Sequence, residues 1–355
     1  MIILNESKIK YEKLDELLQD QLHDLRFSSN VNILIDLKEI YKKFFRPGIL
    51  DKFDSAQAAK EEILSDIINT IGHYRNYFYK RNKYTNFVFF YSTKKCDEIL
   101  KTNPDYKKAY YDKYFEGRDD NEKKKISLFK EITKFLDIFI DAVPHCRFFD
   151  TYKSDEFAYM KAYIANIPNN ELTLILSNDD ILFQLISNNV FVLDIKGIRS
   201  SLLRKDNVVS ILSKRETSLT SNMIPLIVAI GGNDKYSISG LPRVALNRAT
   251  QIVDYLVNKD IAHDENSVSV PIDFTKLDTN VKLEKKVFDN RDLITKNYFA
   301  IRSDTIYYKN KMLMDSEFAT VTVNRSRREL EETNAKMFTR FPLQIDMLLR
   351  GEKGD

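Results

Sequence analysis

The chain has 355 residues, 43% hydrophobic and 30% charged, with a net charge of +3. That length suits one large core with additions or two domains, and the balance is that of an ordinary globular protein. The small net charge excludes a nucleic-acid argument from composition alone, so basic residues count only where they cluster.

No apolar run reaches the ~18 residues that a membrane span needs, and no secretory pattern opens the sequence. Cys96 and Cys146 cannot make a disulfide framework, which leads to the expectation of a reducing, cytoplasmic compartment. His23, His73, His145 and His263 are scattered, without a zinc-binding spacing.

In chain order, residues 8–25 read as an amphipathic helix with Leu14, Leu17, Leu18 and Leu22 on one face. Asn32 to Asp36 reads as a buried strand ending in an acid. Residues 55–80 carry a helical pattern that finishes in an aromatic and basic end, Tyr74 to Arg81, and Phe87 to Tyr91 reads as a second strand. Between Lys101 and Lys125, eight Lys or Arg residues alternate with Tyr106, Tyr110, Tyr111, Tyr114 and Phe115, among six acids. Such a mixture fits either a single-strand-binding surface or a solvated helix. Residues 126–143 predict a helix, Arg147 to Phe149 a strand, and Ser154 to Ile164 another helix.

Glu171 to Ile195 then holds a strand at Leu172 to Leu176, a polar turn Ser177-Asn178-Asp179-Asp180, a helix at Ile181 to Ile186 and a strand at Val190 to Leu193. Strand, helix and strand in so short a span imply a parallel βαβ unit, whose strand carboxyl ends form a binding crevice. Asp179 and Asp180 belong there, as a helix N-cap or as metal ligands. Beyond it, Arg199 to Arg215 is locally basic, Met223 to Ile230 is apolar, and Gly231 to Ala249 holds three of the nine glycines before a helix to Val257. Residues 264–285 read as a polar loop, Thr305 to Tyr308 as a strand and Arg325 to Met337 as a charged helix. The predicted fold is α/β, a central, mostly parallel sheet flanked by helices.

The order of these pieces resembles the flap endonuclease and 5′–3′ exonuclease family of PIN-like nucleases, phage type, over about residues 31–256. Ile33 to Asp36 resembles its first strand and metal-binding Asp. Asn103 to Lys108 resembles the segment entering its helical arch. Asp155-Glu156 resembles its acidic pair opening a helix, and Leu174 to Leu185 its serine-glycine-aspartate strand and helix. Gly232 to Ala249 resembles the glycine-rich hairpin of its helix–three-turn–helix motif.

The resemblance implies residues 1–195 as a PIN-like domain with an arch near 101–125, residues 196–262 as a helix–three-turn–helix module, and residues 263–355 as a C-terminal extension. It implies Asp36, Asp155, Glu156 and Asp179 as metal-binding and catalytic residues for Mg²⁺ or Mn²⁺, since phosphodiester hydrolysis in this family uses two divalent ions on converging carboxylates. It further implies Lys107, Lys108, Gly232, Gly240, Arg243 and Arg248 as DNA contacts, with flap, branched or single-stranded DNA or an RNA–DNA hybrid as partner. A phage origin would place the protein in a bacterial host's cytoplasm. Gln344, Met347 and Leu348 resemble a sliding-clamp-binding pentapeptide, and equally fit a final helix packed on the core.

Several positions depart from the family pattern. Tyr91-Ser92 stands where an acid follows the second strand, Lys153 where a glutamate precedes the acidic pair, and Ile181 where a second aspartate is expected. Asn233 and Tyr236 replace two acids of the hairpin. Two expectations therefore coexist: a DNA-binding protein with a degraded nuclease site, and an active 5′ nuclease with a rearranged ligand set.

Overall fold

The computed structural model describes residues 16, 18, 27–38, 52–53, 55–91, 116–117, 119–151, 156–194, 201–263 and 269–302. The arch residues Lys107 and Lys108, the clamp-like Gln344, Met347 and Leu348, the acidic-pair member Asp155 and Lys153 before the pair lie outside them. So do nearly all of the N-terminal helical pattern and the strand and helix expected after residue 304.

Six strands form one sheet. They are β1 (Asn30–Asp36), β2 (Tyr84–Tyr91), β3 (Cys146–Asp150), β4 (Leu172–Leu176), β5 (Val190–Asp194) and β6 (Ser201–Leu203), in the spatial order β3-β2-β1-β4-β5-β6. The first five are mutually parallel and β6 is antiparallel to β5. Their side chains alternate strictly. Val31, Ile33, Ile35, Phe87, Phe89, Leu172, Leu174 and Leu193 enter one core, while Leu34, Val88, Phe90, Ile175 and Val192 enter the other. This two-sided burial is what a parallel sheet requires, and it explains why the strands read as continuous apolar runs.

Helices α1 (Ala56–Tyr79) and α2 (Asp120–Ala142) cover the first face. Each begins at a side-chain cap: Ser55 accepts from the Ala58 amide, and Asp119 from the Glu122 amide. Helix α3 (Glu156–Ala165) and the helices that follow β6 cover the second face. Those are α4 (Val208–Ser213), α5 (Ile224–Gly231), α6 (Leu246–Asn258), α7 (Lys282–Asp289) and α8 (Arg291–Ile301). Residues 282–285 fell within an expected polar loop but open α7, whose Val287 is fully buried. The Asn297 amide of α8 donates to the carbonyls of Ala229 and Ser239, joining α8 to the end of α5 and to the hairpin beyond it. The expected helix after Asp180 forms as a 3₁₀ turn over Asp180–Leu185. None of the described helices is long and apolar enough to cross a membrane.

The chain passes from β1 to β2 on one side and returns to β4 on the other side of β1. The switch point therefore lies between the carboxyl ends of β1 and β4, where open α/β sheets leave a crevice.

Candidate active-site crevice

Asp36 ends β1 and Ser177 to Asp179 follow β4, so the topology alone brings them to the switch point. Asp36 is 1% exposed. One carboxylate oxygen accepts from the Lys38 amide at 3.1 Å, and the other from the Ser177 hydroxyl at 3.4 Å. The Ser177 oxygen accepts in turn from the Asp179 amide at 3.0 Å, so this serine links the two acids.

Glu156 opens α3, is buried, and receives the Lys38 ammonium at 3.0 Å. Both side chains are almost wholly covered, at 3% and 6% exposure. Asp179 is also buried. It accepts the Tyr236 hydroxyl at 2.6 Å and forms an ion pair with Lys235. Its other oxygen caps the 3₁₀ turn at the Ile181 amide, 3.4 Å away, so the N-cap reading of this residue is realised as well. Asp180 is held by the Asn233 amide, 3.3 Å from each carboxylate oxygen.

Three of the four sequence-predicted ligands are described, and all three sit at the carboxyl edge of the sheet. Two of them, Glu156 and Asp179, are ion-paired to lysines that the sequence analysis did not single out. Lys153, flagged there as the intruding cation, is outside the described residues. Asp150, paired in register with Tyr91 at the same edge, was also missed. Tyr91, where the family resemblance calls for an acid, ends β2 with a phenol. Its residue surface is partly open, but dense packing around the hydroxyl raises its pKa, and neighbouring Glu156 adds to the rise while Lys38 opposes it.

A divalent ion would need hard oxygen donors with lone pairs turned to a shared point. Among the described residues, no three His, Cys, Asp or Glu side chains make such a group. A further cation would also meet the ammonium groups of Lys38 and Lys235, which are ion-paired with Glu156 and Asp179. The described residues do not fit a two-ion centre.

The glycines of the hairpin after α5 serve close packing within the chain. Gly232 has φ of 79° and ψ of 167°, a combination nearly restricted to glycine. A Cβ on Gly240 would lie 2.3 Å from the Gly231 carbonyl carbon and 2.4 Å from the Gly232 nitrogen. Two backbone segments therefore touch here, and close packing within the chain is one requirement these glycines meet. Arg243 (φ 60°) and Arg248 are exposed, at the mouth of α6 and in its first turn. An exposed guanidinium beside a helix N-terminus suits a phosphate contact.

Comparison with solved structures agrees with this topology. The chain is similar to the T5 D15 protein co-crystallised with metal ions, at 15% identity and a TM-score of 0.53, covering 82% of this chain and 100% of that one. It is similar to bacteriophage T5 D15 flap endonuclease in an aspartate-to-lysine pseudo-enzyme–product complex with DNA and metal ions, at 13% identity and a TM-score of 0.55, covering 87% and 98%. T5 5′-exonuclease with bound zinc matches at 13% identity and 0.52, again over 87% and 98%. The fold is that of a flap endonuclease. No protein-family model matches the chain. No curated protein sequence matches it either. The flap-endonuclease likeness is thus one of architecture, kept at an identity too low to carry any residue's role with it.

Proposed function

We propose that this protein binds branched or single-stranded DNA, or an RNA–DNA hybrid, through a flap-endonuclease-like fold whose hydrolytic centre is impaired, as an accessory factor in phage replication or a related assembly. The observation that carries this reading is the capture of Glu156 and Asp179 by Lys38 and Lys235. Two-ion hydrolysis needs those carboxylates as ligands, and lysine ammonium groups cannot activate water as a metal does. DNA binding is supported by the exposed Arg243 and Arg248. It gains from the T5 pseudo-enzyme, an aspartate-to-lysine protein that was crystallised with DNA.

The second reading, an active divalent-metal 5′ nuclease, is favoured by the placement of Asp36 and Asp179 at the switch point. Labelled flap, nicked and single-stranded substrates in Mg²⁺ and in Mn²⁺ separate the two. The expected result is binding that weakens steeply with salt, as counterion release requires, and no cleavage. Cleavage abolished by Asp179→Ala would establish the active nuclease instead. Absence of affinity for every substrate would reject both.

A further inference from the structure

Taking its ligand class from the nucleic-acid reading above, we infer a second contact surface, for a single strand of DNA or RNA. It lies at the amino edge of the sheet, centred on Tyr84 and flanked by Lys80, Lys83 and Arg147. The eight residues of β2 separate it from the crevice by about 23 Å, at ~3.3 Å of rise per residue.

Charge is the first support. From Ile67 to Cys96 the sequence runs thirty residues without an Asp or Glu while holding six Lys or Arg. The turn from α1 to β2, Lys80 to Lys83, falls inside that run. Lys83 meets the Ser28 carbonyl at 2.9 Å and the Phe27 carbonyl at 3.5 Å, and pairs with no carboxylate among the described residues. Carbonyls orient an ammonium without neutralising it. Lys80 is exposed at the C-cap of α1. Exposed Arg147 of β3 has no carboxylate partner among the described residues either. Glu171, an acid at this edge, stands two strands from β2, and the Asn30 and Asn32 amides occupy its two oxygens.

The second support is an open ring. Tyr84 is 65% exposed, although it begins a strand inside the sheet. Its ring has no aromatic or cationic partner among the described residues. A helix dipole accounts for cations after α1, but not for an open tyrosine or for Arg147 on β3. Single strands are bound by this combination, a ring that stacks on a base beside cations that meet phosphates. An acidic peptide would use the cations and leave the ring without a role.

The third support is fixed geometry. The Arg81 and Lys83 amides both donate to the Phe78 carbonyl, at 2.9 and 3.0 Å, and the Arg81 guanidinium donates to the Tyr77 carbonyl at 2.8 Å. The Tyr84 amide donates to the Ser29 carbonyl at 2.8 Å. Strand alternation puts Tyr84 on the face of Val88, whose register partner is Arg147. Ring and guanidinium thus belong to one face, about 13 Å apart along the strands, a length suited to a few nucleotides.

The test uses the full chain in EDTA and fluorescence anisotropy, with labelled oligo-dT, oligo-rU and a four-way DNA junction that has no free single strand. Tyr84→Ala is expected to weaken single-strand binding about tenfold, while Tyr84→Phe, which keeps the ring, binds as wild type does. Arg147→Gln should lower the salt slope for single strands by about 0.7, the share of one phosphate contact. Each replaced side chain is exposed, so the variants remain folded, and junction affinity should stay at the wild-type level. Equal single-strand affinity for Tyr84→Ala and wild type would overturn the inference, as would a loss in Tyr84→Phe as large as in Tyr84→Ala. Labelled oligo-glutamate bound as tightly, with the same dependence on Tyr84, would overturn it too and assign the surface to an acidic peptide. A loss confined to oligo-dT or to oligo-rU would uphold the contact and say which strand it takes. Junction binding without single-strand binding would reject this contact and keep the proposed function. Absence of both would reject the two together.

Discussion

Asp179 in the crevice and Glu284 of α7 are buried acids held by the same chemistry. Asp179 takes the Tyr236 hydroxyl at 2.6 Å and the Lys235 ammonium, which lies 5.4 Å from the centre of the Tyr236 ring. Glu284 of α7 takes the Tyr255 hydroxyl at 2.6 Å and the Lys259 ammonium at 3.2 Å, which lies 5.2 Å from the centre of the Tyr255 ring. The difference lies in surroundings. Glu284 takes its backbone donor, the Asp278 amide, at 2.7 Å where Asp179 takes the Ile181 amide at 3.4 Å, and its lysine is half exposed, so the cluster ties a surface loop to α6. Asp179 stands at the switch point, and its lysine is more deeply covered. An arrangement that elsewhere only fastens a loop thus occupies the place where a nuclease needs open carboxylates. Its presence in both regions argues that Asp179 is held as a structural acid.

The deepest pair gives the largest effect. Lys38→Ala would take from the buried Glu156 the ammonium it is paired with, and breaking such a pair from one side costs about 3–5 kcal/mol. Urea denaturation should show that loss. A change below about 1 kcal/mol, typical of exposed pairs, would mean that Glu156 gains water or another partner, and the view of the crevice as a sealed ionic cluster would fail.

Much of this architecture could be read from the residues, because its signals are local. Apolar runs bounded by polar turns marked β1, β2, β4 and β5, and the acids at their carboxyl ends followed from direction alone. The pairings could not be read, because they join segments remote in sequence. Lys38 sits in a stretch, Leu37 to Lys43, where one more lysine among polar neighbours has the pattern of a surface residue. Only the return of α3 onto the second face buries it against Glu156. Lys235 was hidden similarly beside Tyr236, a position noted only for a missing acid. The single available signal was that each acid lost from the family pattern calls for a neutral or cationic replacement nearby, and this pointed to Lys153. For the hairpin, glycine content alone did not show which backbones meet. The contact of the Gly240 position with Gly231 and Gly232 supplies a packing reason for glycine there.

The tyrosines test the comparison directly. Tyr236→Phe and Tyr255→Phe each remove one hydroxyl from a buried carboxylate and change little else. Hydrogen bonds to charged groups contribute about 1.5–3 kcal/mol, so both variants should lose a similar amount within that range. Equal losses in chemical denaturation would support the structural view of Asp179. A clear loss for Tyr255→Phe beside none for Tyr236→Phe would separate the two acids and return Asp179 to the ligand set of an open site.

The smallest effect is one of pH, and it falls on Glu284 of α7. The Tyr255 hydroxyl, then the Asp278 amide and the Lys259 ammonium, hold the Glu284 carboxyl below its usual value of 4.5, against an opposing effect of burial. The carboxyl is covered by its immediate neighbours but sits close to the surface, beside a half-exposed lysine, so solvent screens part of the gain. Because the folded-state pKa lies below the unfolded one, the folded protein binds fewer protons there. The stability it contributes is complete above about 4.5 and is lost as pH falls from there through the lower folded value. Asp260 and Asp273 are also lowered, by Lys276 and by Thr275 respectively, and blur the same window in the wild-type curve. The difference between wild type and Glu284→Gln isolates the one group. Urea midpoints followed from neutral pH downwards should therefore converge for the two proteins below the ordinary glutamate range. A difference that stays constant across that range would show that Glu284 gains nothing from Tyr255 and Lys259 as a charged group, and the likeness to Asp179 would then rest on geometry without the energetics that give it meaning.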